Sequence, residues 1–490
     1  MARQLFAQLS KESFVYGFTA AAAKLVGFIL VPLYARMLTQ SGFGILDLVT
    51  TGTAILSSVL ILGMDSSIAI IFYKTEDPTE RRTIASTFLV FEIVFTLIVC
   101  ALLLPAAEPI ALLAFGDASL TPYVQIALAT VPFAIYITMF LDIARLIRIP
   151  TRYMVISLGN LIFTSVLIVL AVVVYGLGVW GVLTATLIGS VVFSLVGFYT
   201  TRSQYGPFFS RTVLRRMILL GLPLVPAALS LWIIGSSNRW FVLHITSSAE
   251  QVAILALATR LAAPVVLVVT AFQIAWVPFS LSIARQDAAE RVYTRTLLYF
   301  LAVTFAILLP LTLWAGPIIQ LFSTDAYLPA ANLIALTGMI SISSGAYYIV
   351  ATGINLSGKT IHIGWTTLVA AGVSILLNLA LIPVLGVLGA AFAGLVASLT
   401  PVVLLYIMSQ RIHPLPYDLP AVLTLSGLGA LLLLAATLLH LSDPLFDFAA
   451  RVVILAIFPA ALLALGVIRP RDLREMMHML SGRMRRGADV

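Results

Sequence analysis

Long apolar runs follow one another along the chain, each about 20 residues and each broken by a short stretch carrying charge, Gly or Pro. A run of that length crosses the hydrocarbon core of a bilayer as an α-helix. Helices suit the crossing because a lipid-exposed segment must satisfy its own backbone polar groups. The breaks predict fourteen spans, at about 13–35, 45–72, 85–105, 121–143, 155–176, 181–201, 218–240, 252–278, 294–315, 329–352, 363–383, 389–409, 421–440 and 448–468. Between Gly176 and Gly181 a tight glycine turn must separate two of them. The pattern predicts an all-α polytopic membrane protein. The first run is too long for a signal-peptide core and lacks a cleavage site, so it reads as an uncleaved helix.

Composition agrees with this reading. Of 490 residues, 61% are hydrophobic and 10% are charged, against about a quarter charged in soluble domains. Between the spans no stretch exceeds about 25 residues, which leaves no room for a soluble catalytic domain. The net charge of +8 does not point to nucleic acid, because the basic residues lie between spans, where they orient helices. With fourteen spans, 23 of the 28 Lys and Arg residues fall on the side of the two termini. Arg36, Arg239 and Arg451 lie at span ends on the other side, and Lys24 and Arg260 lie inside spans. This asymmetry predicts that both ends are cytoplasmic. The arginines from Arg469 to Arg486 fit an amphipathic tail on the inner leaflet.

A faint repeat divides the chain. Leu177-Gly178-Val179-Trp180-Gly181 before span six matches Leu385-Gly386-Val387-Leu388-Gly389 before span twelve. At nearly the same offset, Ser41-Gly42-Phe43-Gly44-Ile45-Leu46 matches Glu250-Gln251-Val252-Ala253-Ile254-Leu255. Two matches in one register predict two six-helix halves of the same orientation. The division is 1–205 and 206–415 for the two six-helix bundles, 416–468 for an additional helix pair and 469–490 for a basic tail.

Charge inside the membrane is costly and marks candidate sites. Lys24 lies near the bilayer midplane on a helical face shared with Gly17, Ala20, Ala21 and Gly27, beyond the reach of a snorkelling stem. Arg260 lies about 12 Å into span eight, beside Ala256, Ala263 and Pro264. Arg36 and Arg239 end spans one and seven, the first helix of each half. These four cations are the candidate substrate-binding residues. Asp47, Asp65 and Glu92 are candidate coupling or structural acids: Asp47 as a clamp to Arg36 across the turn or a pair for Arg260, Asp65 at a helix end, Glu92 as a core acid or a relay. Asp142 is placed to pair with Arg145 one turn on. The aromatic and Met content, including Trp240, Trp276, Trp314 and Trp365, mostly reads as an interface belt. Cys100 excludes an internal disulfide, and the five scattered histidines show no metal-ligand spacing. No catalytic residue, metal site, cofactor or phosphate-cradling loop is expected. A basic cavity between two halves suits an anionic substrate.

Val31-Pro32-Leu33-Tyr34-Ala35-Arg36-Met37-Leu38, then Ser41-Gly42-Phe43-Gly44-Ile45-Leu46-Asp47, then Gly63-Met64-Asp65-Ser66-Ser67 resemble the opening of the polysaccharide-biosynthesis (Wzx-type) flippases. Asn378-Leu379-Ala380-Leu381-Ile382-Pro383 with Gly386-Val387-Leu388-Gly389 resembles that family's junction of spans eleven and twelve. The family sits in the multidrug/oligosaccharidyl-lipid/polysaccharide superfamily. The resemblance implies two six-helix bundles in a V shape and alternating access in a bacterial inner membrane. It also implies translocation of a polyprenyl-pyrophosphate-linked oligosaccharide to the outer leaflet. Implied partners are that lipid-linked glycan, membrane lipids, and a glycan polymerase and glycosyltransferases of the pathway. Coupling to a proton gradient, a sodium gradient or the membrane potential stays open. The chain departs from the family at Asn238, where an acid is frequent, and at Ile70, where Arg is frequent. A lipid II flippase, a cation-coupled multidrug exporter and a membrane glycan polymerase or ligase are the alternatives.

Overall fold

A computed structural model describes residues 17, 19, 22 and 25–467, except 285–288, 360, 440 and 465. Lys24 and the basic tail lie outside the described residues. Among the described residues the fold is helical throughout. In chain order the helices are α1 (Leu25–Met37), α2 (Gln40–Leu60), α3 (Met64–Phe72), α4 (Pro78–Phe115), α5 (Ala118–Leu146), α6 (Pro150–Val174), α7 (Gly178–Gln204), α8 (Arg211–Ser236) and α9 (Asn238–Thr246). They continue as α10 (Ala249–Leu261), α11 (Ala263–Ser282), α12 (Ala289–Leu313), α13 (Ala315–Phe322), α14 (Asp325–Ser357), α15 (Ile361–Leu385), α16 (Val387–Ile412), α17 (Leu419–Leu438) and α18 (Pro444–Ala464). Twelve of them are long and apolar enough to cross a membrane, and the bent pair α10–α11 makes a thirteenth span. Of the remaining predicted span, residues 17, 19 and 22 and the helix α1 from Leu25 onward are described.

Three predicted spans are not single rods. Span two breaks between α2 and α3, where Leu62 (φ 51°) and Gly63 (φ 67°) turn left-handed. A Cβ on Gly63 would stand 2.4 Å from the carbonyl oxygen of Gly221 in α8, so glycine meets both the backbone conformation and the close approach. Span eight bends by 54° between α10 and α11. Pro264 explains the bend: it lacks an N–H, and its ring would collide with the carbonyl four residues back, that of Arg260. Span seven continues past its expected end at 240 as α9, so Arg239 sits at a helix junction inside the fold. The glycine turn between α6 and α7 is as expected, with Gly176 and Gly178 at φ 63° and 56°.

The first six spans form one bundle, in which α4, α6 and α7 pack around α5. Its core is built from Ile68, Phe88, Met139 and Ile156. The next six form the second bundle around α14 and α16, with Leu257, Leu308, Ile349 and Leu405 buried. The terminal pair α17–α18 leans on α12 and α14 of this bundle. Matching positions make matching contacts: Gly42 at the start of α2 lies against Val179, and Gln251 at the start of α10 accepts from the amide of Val387 at 3.1 Å. Large exposed apolar side chains such as Leu113 and Val384 cover the periphery, as a lipid-facing surface requires.

The turns sort to two ends. At the base-poor end hydrogen bonds link Arg36 to Gln320 and Leu321, Gln40 to Ala326, His244 to Leu113 and Gln251 to Val387. At the base-rich end Tyr73 donates to Leu146, and the amides of Gly206 and Ser210 donate to Ser86 and Thr87.

Candidate functional site

The bundles meet where α2 packs on α10. Thr39 caps α2 by accepting from the amide of Gly42 at 3.0 Å. One turn into the helix, Gly44 lets α2 touch the backbone of Ala249: a Cβ there would lie 1.9 Å from the Ala249 carbonyl oxygen. Asp47 follows three residues later and therefore shares the face that meets α10.

There the Asp47 carboxylate, contributed by the first bundle, accepts from two arginines of the second. Arg239 Nε donates to Asp47 Oδ2 at 2.5 Å, and Arg260 Nη2 donates to Asp47 Oδ1 at 3.2 Å. Asp47 is 6% exposed and Arg239 is 9% exposed, whereas Arg260 keeps 25% of its side chain open. Arg239 Nη1 also donates to the carbonyl of Gly235 and to Asn238 Oδ1, both at 3.4 Å. The Arg260 guanidinium lies 4.7 Å from the Phe43 ring centre and 5.2 Å from that of Tyr34. A cation over desolvated rings gains up to about 2 kcal/mol. The knot holds two cations and one anion, and its positive balance sits where the bundles join. The pairing of Arg260 with Asp47 is one of the two arrangements anticipated for these residues.

The clamp between Asp47 and Arg36 is not formed. Arg36 instead donates to the carbonyls of Gln320 and Leu321, at 3.1 and 2.9 Å, in the last turn of α13. A cation at a helix C-terminus is favoured by the exposed carbonyls and the helix dipole. Around it Phe28 meets Phe322, Phe43 meets Tyr327, and Gln40 donates to the Ala326 carbonyl at 3.1 Å. With Gly44 on Ala249, these contacts close the base-poor end.

The other acids lie in the first bundle. Asp65, half-buried in the first turn of α3, lines a cavity of about 430 Å³ between the bundles with Ser57, Ser66, Thr138 and Leu231. Glu92 is 0% exposed, and neither carboxylate oxygen has a hydrogen-bond partner among the described residues. Asp142 pairs with Arg145, as expected. Trp276 departs from the interface reading: it is buried and donates to Thr352 Oγ1 at 3.0 Å, because it stacks inward on Phe272. Among the described residues no group of three His, Cys, Asp or Glu side chains could hold a metal.

Sequence reasoning missed the rings of Tyr34 and Phe43 beneath Arg260 and the role of Gly44. The Gly44–Asp47 spacing carried the signal, since a small residue one turn from a membrane acid marks a close helix contact.

Known proteins place this architecture. No curated protein matches the sequence. Among solved structures, the lipid II flippase MurJ in an inward closed conformation superposes with a TM-score of 0.71 at 14% identity, over 92% of this chain and 98% of that one. An inward-facing multidrug resistance MATE family transporter of the MOP superfamily follows at TM-score 0.62 and 18% identity, over 81% of this chain and 98% of that one. An outward-facing structure of a MATE family transporter gives TM-score 0.55 at 17% identity, over 82% and 95%. These likenesses establish the fold. A family model described as "Polysaccharide biosynthesis protein" matches residues 33–332, a stretch that holds Arg36, Asp47, Asp65, Glu92, Arg239 and Arg260. The chain is a multi-pass membrane protein that belongs to the polysaccharide biosynthesis protein family.

Proposed function

We propose that the chain is a flippase that carries a polyprenyl-pyrophosphate-linked oligosaccharide from the inner to the outer leaflet by alternating access. The observation that carries this reading is the meeting of Asp47 from the first bundle with Arg239 and Arg260 from the second, buried where the bundles join. Two guanidiniums suit a phosphate, which they bind with paired donors. In this reading the base-rich end faces the cytoplasm, and the closed base-poor end must open to release the glycan. In this reading Arg36 adds a further cation at the base-poor end. The polyprenyl tail stays in lipid, and the sugars need a hydrated passage.

Deletion of the gene is expected to leave a lipid-linked glycan on the inner leaflet. Arg260→Ala should do the same while the protein remains in the membrane at normal level; normal surface glycan in that variant would sink the assignment. A lipid II flippase shares the fold, but the family match favours a polysaccharide precursor. Loss of lipid II export would be lethal, so a viable deletion separates the two.

Coupling to a proton gradient is proposed to run through Glu92 and Asp65. A buried carboxyl without partners is far cheaper to keep neutral than charged. Glu92→Gln should therefore shift stability by no more than about 1 kcal/mol and yet remove the dependence of flipping on a pH gradient. Retained pH dependence, measured in proteoliposomes, counts against a relay.

A further inference from the structure

The Asp47 carboxylate lies where a phosphate held by the same two arginines would have to sit. It takes one donor from Arg239 and one from Arg260, on separate oxygens. Guanidiniums offer that arrangement to phosphate as readily as to carboxylate. Asp47 and Arg239 are both buried, so an incoming anion finds these donors already taken. Arg260 differs: 25% of its side chain is open, and its guanidinium lies over the rings of Phe43 and Tyr34, which the first bundle contributes. Asp47 is also the one member of the knot from the first bundle. Whatever displaces it cuts an ionic tie between the bundles.

We infer that Asp47 is a built-in stand-in for the substrate's phosphate: a phosphate or pyrophosphate group displaces it from Arg239 and Arg260, and the exchange releases α2 from α9 and α10. The inference rests on the anionic-substrate reading above. A pyrophosphate brings more negative charge than one carboxylate, so it wins two cations in a site of low dielectric. A neutral headgroup cannot make the exchange, so Asp47 sets a charge threshold for what moves the bundles. Specificity then comes from a competitor built into the chain.

The test uses the purified full chain in detergent with inorganic pyrophosphate as the probe, followed by tryptophan fluorescence, Trp240 being the neighbour of Arg239. A site filled by its own side chain shows an apparent affinity reduced by the fraction of time it stands free, so Asp47→Asn should bind about tenfold tighter than the unaltered protein. Adding Arg260→Gln to that variant should abolish binding. Equal affinity of the unaltered protein and Asp47→Asn overturns the stand-in while leaving the anion site in place. Absence of binding in every folded protein overturns both the stand-in and the anionic-substrate reading.

A second measurement leaves Asp47 intact. Gln40→Cys with Ala326→Cys, joined by a short bis-maleimide cross-linker that adds across both thiols, reports closure of the base-poor end. Pyrophosphate should slow this cross-linking several-fold in the otherwise unaltered chain. An unchanged rate at saturating pyrophosphate overturns the release step.

Discussion

Asp47→Ala is expected to lower the stability of the folded chain by about 3–5 kcal/mol, the cost of removing one partner from a buried ion pair. It leaves Arg239, 9% exposed, and Arg260 facing each other without an anion between them. The readout is the melting temperature in detergent. Because repulsion between cations would be part of the loss, Asp47→Ala in an Arg239→Met background should cost clearly less than in the unaltered chain, a non-additivity expected for residues in contact. A loss under about 1 kcal/mol, the scale of a surface pair, would show that the knot does not hold the bundles. Pyrophosphate should restore part of the lost melting temperature, because a ligand that binds the folded state stabilises it by mass action.

The second large effect is expected at Gly44. A valine there would place its Cβ 1.9 Å from the carbonyl oxygen of Ala249 and 2.9 Å from the carbonyl carbon. Both are backbone atoms of a helix start, which cannot swing aside as a side-chain tip can. Gly44→Val should therefore wedge α2 from α10 and pull Asp47 out of reach of its arginines. Surface glycan should fall below about a tenth of normal, the size of change a 1.4 kcal/mol shift in the closed state produces, while the protein stays in the membrane. Gly52→Val provides the contrast within the same helix, because nothing lies within 4 Å of its Cβ position. Equal transport by the two variants would remove the close approach from the mechanism.

Much of this was legible in the sequence because the bilayer imposes its period. Apolar run lengths located twelve crossings and the bent pair among the described residues, and the sorting of Arg and Lys between turns separated the base-poor end from the base-rich one. The repeat was readable at Gly178 and Gly386, both of which turn left-handed, at φ 56° and 57°. What run length could not show was discontinuity. Leu62 breaks span two although nothing in a leucine signals a left-handed backbone, and the consequence of Pro264 was visible only as a neighbour of Arg260. Partner choice was the other blind spot. Arg36 and Asp47 flank one turn and looked like a pair, yet α2 presents Asp47 toward α10, and Arg36 meets the carbonyls of α13. Sequence separation says little about direction around a helix axis when both helices end in the same turn. Lys24, the most conspicuous cation in the sequence, lies outside the described residues.

The left-handed step at Leu62 and Gly63 makes one crossing into two rods with a joint between them. The upper rod carries Asp47 and is pinned by α10; the lower carries Asp65 and packs on α8, with Gly63 of the joint against Gly221. Both pins belong to the opposite bundle, at different depths. Had the crossing been one rigid rod, prying loose either pin would strain the other, and the two seals would fail together. In the alternating-access reading proposed above, a joint lets the upper seal part while the lower one holds, and the reverse. That is the requirement of an airlock, in which cargo passes but the two doors never stand open at once.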